Sequence, residues 1–146
     1  MSNQNTATPD LFVREVERLL GIKFKYDLAA SSENAKAKNF FTEADDSLTM
    51  DWPRDEWCWL NPPFAKLTKW INKCAIESFE GSKIVTIWPL SGDRNQRYVW
   101  ENCQICIIEG RIWPLVRGCM LCVWDASRGS SIQGFHWDKK NLTFIW

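Results

Sequence analysis

The chain has 146 residues, 45% of them hydrophobic, and its 18 basic and 18 acidic side chains balance to a formal charge of zero. That length suits one domain with its own core and is short for two. The composition excludes a disordered chain, no stretch is long and apolar enough to span a membrane, and neutrality speaks against a protein that lives on non-specific phosphate contacts.

Residues 1–7 read as a disordered lead-in and 8–146 as a single folded domain. The lead-in is polar and lacks the apolar core of a signal peptide, so a soluble, cytoplasmic protein is expected. Six cysteines in that compartment are expected to be reduced. Thr8-Pro9-Asp10 predicts a helix start, with a capping Thr, Pro in the first turn and an acid near the positive end of the dipole. Phe12, Val16, Leu19 and Leu20 recur at helical spacing until Gly21 stops the helix.

From Ile22 to Leu28 apolar and polar residues alternate, which predicts a strand ending in Asp27-Leu28-Ala29-Ala30. Residues 31–56 are polar and irregular and carry the acidic run Glu43-Ala44-Asp45-Asp46. Trp57 to Leu60 predicts a short buried strand, broken by Asn61-Pro62-Pro63-Phe64, which cannot continue it. Leu67, Trp70, Ile71, Cys74, Ala75 and Phe79 share one helical face, and Gly81 ends that helix. Ile84 to Leu90 is a continuous apolar strand of the kind covered on both sides. A helix over 93–101 and strands at Gln104–Ile108, Met120–Trp124 and Leu142–Trp146 complete the reading. The fold class is α/β, a mostly parallel sheet with antiparallel strands added at the C-terminal edge. Ligands in such sheets bind beyond the carboxyl ends of the strands, where Asp27-Leu28-Ala29-Ala30 and Asn61-Pro62-Pro63-Phe64 both fall.

Asn61-Pro62-Pro63-Phe64 is the strongest chemical signal. The exocyclic amine of a base such as adenine is a poor nucleophile, because its lone pair is delocalised into the ring. An Asn side-chain oxygen and a prolyl carbonyl can accept its two N–H bonds and face the positive charge that develops on nitrogen. Two prolines stiffen the loop, and Phe64 offers a flat face for a flipped base. No general base is needed before transfer. The plainer reading is an ordinary Asn-Pro turn.

These pieces stand in an order that resembles the phage-type, Dam-like DNA N-6-adenine methyltransferases. The resemblance runs through Thr8-Pro9, Tyr26-Asp27-Leu28-Ala29-Ala30, the segment Asn34–Glu43, Asp45-Asp46-Ser47-Leu48, Asp51-Trp52, Trp57–Phe64, Val85–Leu90 and Glu109–Ile112. It implies a single Rossmann-like domain that uses S-adenosylmethionine to methylate DNA. It implies that Asn61, Pro62, Pro63 and Phe64 hold the target adenine. Asp27 and Ala29 would face the methyl donor, Thr8 and Pro9 its methionyl end, and Asp45 or Asp46 its ribose or adenine. Phage or prophage origin, and hence the cytoplasm of a bacterial host, is a further implication. One departure stands out: Asp27-Leu28-Ala29-Ala30-Ser31-Ser32 occupies the place of the usual Gly-rich loop. No separate target-recognition domain is visible, so specificity is expected to be low or to depend on a homo-oligomer.

Two further features compete. Cys103-Gln104-Ile105-Cys106 and Cys119-Met120-Leu121-Cys122 have zinc-ribbon spacing. Both pairs lie in apolar, strand-like runs, where residues i and i+3 point to opposite faces and cannot chelate together. Structural thiols and no metal are therefore expected. His136, the single histidine, reads as structural. The competing functional readings are a degenerate methyltransferase fold that binds DNA or protein without turnover, and a zinc-ribbon adaptor. Basic side chains gather locally at Lys66, Lys69 and Lys73, at Arg94 and Arg97, and at Arg111, Arg117, Arg128, Lys139 and Lys140, where solvated faces or DNA contacts are both open. Ten tryptophans suit either a ring-rich core or a stacking surface.

Overall fold

The computed structural model describes residues 8–89, 103–109, 119–128, 131–138 and 143–145. Helix α1 spans Asp10–Leu20 and buries Phe12, Val13 and Val16, a contribution of about 1.5–3 kcal/mol for each side chain. Gly21 closes it with φ +67°, and its N–H reaches the carbonyls of Arg18 and Glu17. A residue with a Cβ would be strained in that left-handed conformation. Pro9, not Thr8, occupies the N-cap, and no side chain caps the helix. The expected capping role of Thr8 is thus not what the fold uses it for.

Eight strands follow: β1 (Phe24–Asp27), β2 (Asn39–Phe40), β3 (Trp57–Leu60), β4 (Lys83–Pro89), β5 (Gln104–Glu109), β6 (Cys119–Trp124), β7 (Ser131–Asp138) and β8 (Thr143–Ile145). Helix α2 (Leu67–Phe79) connects β3 to β4. The strands form one sheet in the order β2-β1-β3-β4-β6-β5-β7-β8. The first four are mutually parallel, and β6 runs antiparallel to both β4 and β5. Strand β7 is parallel to β5 and β8 antiparallel to β7. The expected α/β architecture, a mostly parallel sheet with antiparallel strands toward the C-terminus, is what forms. Strands β2 and β7 have no counterpart in the sequence reading, and the helix expected over 93–101 lies outside the described residues.

The sheet separates two cores. On one face α1 packs Phe12, Val13 and Val16 on Phe24, Trp59, Val85, Ile87, Leu121 and Val123. On the other, Trp70, Ile71 and Cys74 of α2 meet Leu60, Ile84, Trp88, Met120, Cys122 and Trp124. Trp52, Trp59, Trp70, Trp88 and Trp124 are all buried, so these rings are core and not a stacking surface. Trp52 stacks on Trp70 at 6.3 Å, and Trp88 meets Trp124 edge-on at 6.1 Å. The face expected for α2 is corrected at its end: Phe79 is 82% exposed, while Glu77 and Ser78 are buried in its stead. The physical reason is ionic. Glu77 accepts from Lys73 Nζ at 2.6 Å and from the Arg54 guanidinium, so a paired carboxylate occupies the inward position.

Cys119 belongs to the α1-side core and Cys122 to the α2-side core. The two thiols of this C-x-x-C therefore lie on opposite faces of β6. Burial raises the Cys119 thiol to about 11 and holds Cys122 well above the ordinary range. Both are small hydrophobes in this setting.

Candidate active site

Strand β1 has β2 on one side and β3 on the other. The chain moves outward from β1 to β2 and then returns across β1 to place β3, so the direction of winding reverses between β1 and β3. Such a switch point opens a crevice at the carboxyl ends of the two strands. Here those ends carry Asp27-Leu28-Ala29 and Asn61-Pro62-Pro63-Phe64. They are adjacent: Asp27 is in register with Trp59, and Leu28 N donates to Trp59 O at 2.9 Å.

The register between β1 and β3 shifts between Phe24 and Tyr26, which places one extra residue on β1. This bulge breaks the alternation that the sequence suggests. Phe24 packs in the α1-side core, whereas Tyr26 and Leu28 pack toward α2. Asp27 then shares the face of its register partner Trp59, the face that α1 covers. Bulges re-aim side chains in this way.

Asp27 is 3% exposed. Its Oδ1 accepts from Ala29 N at 3.2 Å and its Oδ2 from Lys36 N at 2.9 Å. Burial pushes its pKa up to about 6, against the pull of those two amides. One carboxylate thus ties both ends of the loop after β1. Within the loop, Asn34 Oδ1 accepts from Ser31 N at 2.8 Å. From outside, Lys36 Nζ pairs with Asp10 at 2.7 Å and the Arg14 guanidinium donates to Lys36 O, fastening the loop to α1. Ala30 and Phe41 then continue the edge, with Ala30 N donating to Phe41 O at 2.9 Å.

Asn61 Nδ2 donates to Thr8 Oγ1 at 3.0 Å, and Thr8 is 1% exposed. The residue two positions ahead of α1 is therefore joined to the residue that follows β3. This bond places the amide nitrogen of Asn61 on Thr8. Pro62 is buried and Pro63 half-buried. Phe64 opens the 3-10 turn Phe64–Lys66 that leads into α2.

Asp45 and Asp46 lie on the segment after β2, at the same carboxyl edge. Asp45 Oδ2 accepts from Thr42 N at 2.7 Å and from Thr42 Oγ1 at 3.0 Å, a capping box for the turn Glu43–Asp45. Asp46 is exposed and sits at φ +54°. No hydrogen bond among the described residues ties either acid to Asp27 or Asn61. The structure thus brings together Thr8, Pro9, Asp27, Ala29 and Asn61–Phe64, and sets Asp45 and Asp46 one loop away. The sequence reading quoted Asn34, Lys36 and Phe41 within the segment Asn34–Glu43 but gave them no role; they hold the loop through the Asn34 side chain, backbone bonds of Lys36 and Phe41, and one ion pair.

A family model described as DNA N-6-adenine-methyltransferase (Dam) matches residues 2–117, which include the mutually parallel strands β1 to β4 and every candidate site residue. The chain belongs to this family. It is 33% identical over 81 residues to the DNA N-6-adenine-methyltransferase of Haemophilus phage HP1 (strain HP1c1), covering 56% of this chain and 46% of that protein. It is 32% identical over 74 residues to the DNA N-6-adenine-methyltransferase of Escherichia phage T1, covering 51% of this chain and 30% of that one. The chain spans under half the length of either relative. Within this Dam-family chain, the Asn-Pro-Pro-Phe motif and the Asp27 loop are neighbours in space although Asp27 and Asn61 are 34 positions apart in the sequence.

Proposed function

We propose that this chain transfers a methyl group from S-adenosylmethionine to the exocyclic amine of a flipped adenine in DNA, on a Rossmann-like domain. The observation that carries this reading is the β1/β3 switch point, where Asn61, bonded to Thr8, stands beside the loop tied by Asp27. The residues at that edge fit the methyl donor. Ala29 and Ala30 are small enough for close approach, and the exposed carboxylate of Asp46 suits ribose hydroxyls. Asp27, Ala29, Thr8, Pro9, Asp45 and Asp46 would hold the donor, which supplies an electrophilic methyl on a sulfonium when bound.

The chain's own residues orient the amine. Asn61 Oδ1 and the Pro62 carbonyl would accept the two N–H bonds of adenine and face the charge that grows on its nitrogen. Thr8 fixes which amide atom Asn61 presents. Pro62 and Pro63 hold φ near −65°, so the carbonyl needs no reorientation during reaction. Phe64 would stack on the extruded base. The proton can leave nitrogen after transfer, so no basic side chain is required at Asn61. No helix among the described residues is long and apolar enough to cross a membrane, and the phage relatives support action in the cytoplasm of a bacterial host.

One observation favours a second reading, a binding module without turnover: both Asp27 oxygens already serve the loop, and no glycine stands in it. Transfer of radiolabelled methyl to unmethylated DNA separates the two. The native chain is expected to label adenine, and Asn61→Ala to lose about a hundredfold in rate, as for the loss of one preorganised dipole. A folded native chain that binds DNA but labels none of a varied set of sequences would establish the binding module.

A further inference from the structure

A cleft of about 590 Å³ lies between α1, the start of β1 and the segment that enters β2, lined by Arg14, Lys23, Lys25, Lys36, Lys38 and neighbouring apolar and amide groups. Among the described residues five cations line it and no carboxylate does. Two of the five are neutralised: Arg14 pairs with Glu17 at 2.8 Å and Lys36 with Asp10 at 2.7 Å. Lys23, Lys25 and Lys38 are exposed and have no ion-pair partner among the described residues. In a chain of zero net charge this is a local excess of three positive charges, and binding depends on where charges lie and not on their sum.

None of these three belongs to the basic runs apparent in the sequence. They meet because β1 and β2 pair in parallel with Tyr26 opposite Asn39, which brings Lys25 and Lys38 to the same end of neighbouring strands. Lys25, at the bulge between Phe24 and Tyr26, adds its side chain to the cleft. The floor of the cleft is also the end of the donor-side loop, since Lys36 N is the amide that Asp27 Oδ2 accepts.

We propose that this cleft is a second DNA contact, in which Lys23, Lys25 and Lys38 engage backbone phosphates away from the target base. The proposal rests on the DNA reading of the neighbouring site. Three exposed ammonium groups on flexible stems suit the repeating phosphates of a duplex, which orient the DNA without reading its sequence. The cleft adjoins the Asp27 loop along the sheet edge, toward the amino ends of β1 and β2. Contacts of this kind would give a compact chain its grip on DNA.

The test compares the native chain with Lys23→Gln/Lys25→Gln/Lys38→Gln on a fluorescent non-specific duplex over a salt series. Each lost phosphate contact lowers the slope of log K against log salt by about 0.9. The triple variant is expected to show a slope shallower by about two to three and a weaker affinity at low salt, with S-adenosylmethionine affinity and the circular dichroism spectrum unchanged. An unchanged slope in a folded variant overturns the cleft assignment. So does a loss of donor affinity with the slope retained, which would make the cleft a site for the donor's carboxylate. Methyl transfer by the native chain reports separately on the catalytic reading. A native chain that transfers no methyl but loses its slope in the variant keeps the cleft and removes the enzyme. One that methylates DNA with a slope the variant does not change keeps the enzyme and removes the cleft.

Discussion

Asn61 Nδ2 donates to Thr8 Oγ1 across 3.0 Å, so the motif that ends β3 is held by the residue that precedes α1. Thr8 is 1% exposed, and Val matches its shape without the hydroxyl. Thr8→Val removes the acceptor that sets the Asn61 amide. A buried hydrogen bond of this type is worth about 1 kcal/mol, so methyl transfer is expected to fall by about five- to tenfold. Thr8→Ser restores the acceptor and is expected to regain most of the rate. If Thr8→Val methylates DNA as fast as the native chain, Asn61 is positioned by something else.

Asp27 should leave a signature in the pH dependence of stability. Its native pKa of about 6 lies above the ordinary 3.8 because burial penalises the charged form. The native state therefore holds this proton more tightly than the unfolded chain does. The resulting contribution is fully present below about pH 3.8 and is lost as pH rises through about 6. Integrated over that window it amounts to about 3 kcal/mol. Asp27→Asn has no proton to lose, so urea unfolding at a series of pH values should show the native chain losing stability relative to the variant between pH 4 and pH 7. A constant difference across that range would contradict the assignment.

Asp46→Gly tests stability and the proposed donor contact together. Asp46 holds φ +54°, a conformation that costs a residue with a Cβ about 1 kcal/mol and costs glycine almost nothing. Asp46→Gly is expected to raise the unfolding free energy by up to about 1 kcal/mol, less the greater chain entropy of glycine when unfolded. If its exposed carboxylate meets the donor's ribose, the same change should weaken S-adenosylmethionine binding by about tenfold, measured by calorimetric titration. Unaltered affinity in the variant would remove Asp46 from the donor site.

The parts of this fold that were legible in the sequence are those set by local pattern. Trp57–Leu60 is apolar and stops at two prolines, and the strand has those bounds. Gly21 ends α1 for the reason its φ shows. What could not be read depends on partners distant in sequence. Strand β2 has two residues and exists only because β1 offers it a parallel edge. The alternation of residues 22–28 predicts one face for Phe24, Tyr26 and Leu28, but the bulge divides them, since a register shift is fixed by β3 and not by β1 alone. At the site, Asn61-Pro62-Pro63-Phe64 announced itself. Thr8 was legible only as a cap, because nothing local records that a residue 53 positions later will bond to its hydroxyl.

Glu77 offers a test of how the α2 side is held. It is 3% exposed, yet it binds Lys73 Nζ at 2.6 Å, the Arg54 guanidinium, and Trp52 N at 3.4 Å. Burial alone would push its pKa up, but the hydrogen bonds from Lys73 and Arg54 outweigh that and hold the carboxyl below the ordinary range. Its contribution is therefore present above the unfolded pKa and lost as pH falls through the lower native one. Arg54 also donates to Ser82 Oγ at 2.8 Å, so this carboxylate joins the segment before β3, helix α2 and the start of β4. Glu77→Ala leaves two cations without their shared partner. Removing one member of a fully buried pair costs about 3–5 kcal/mol. Arg54 and Lys73 are partly exposed, with side chains at 39% and 16%, and water will solvate them in part, so about 2–3 kcal/mol is expected. Urea denaturation at neutral pH measures this directly. Glu77→Gln, which retains an acceptor but no charge, should lose less. A Glu77→Ala midpoint equal to the native one would mean that Trp52 and Trp70 hold this face without it.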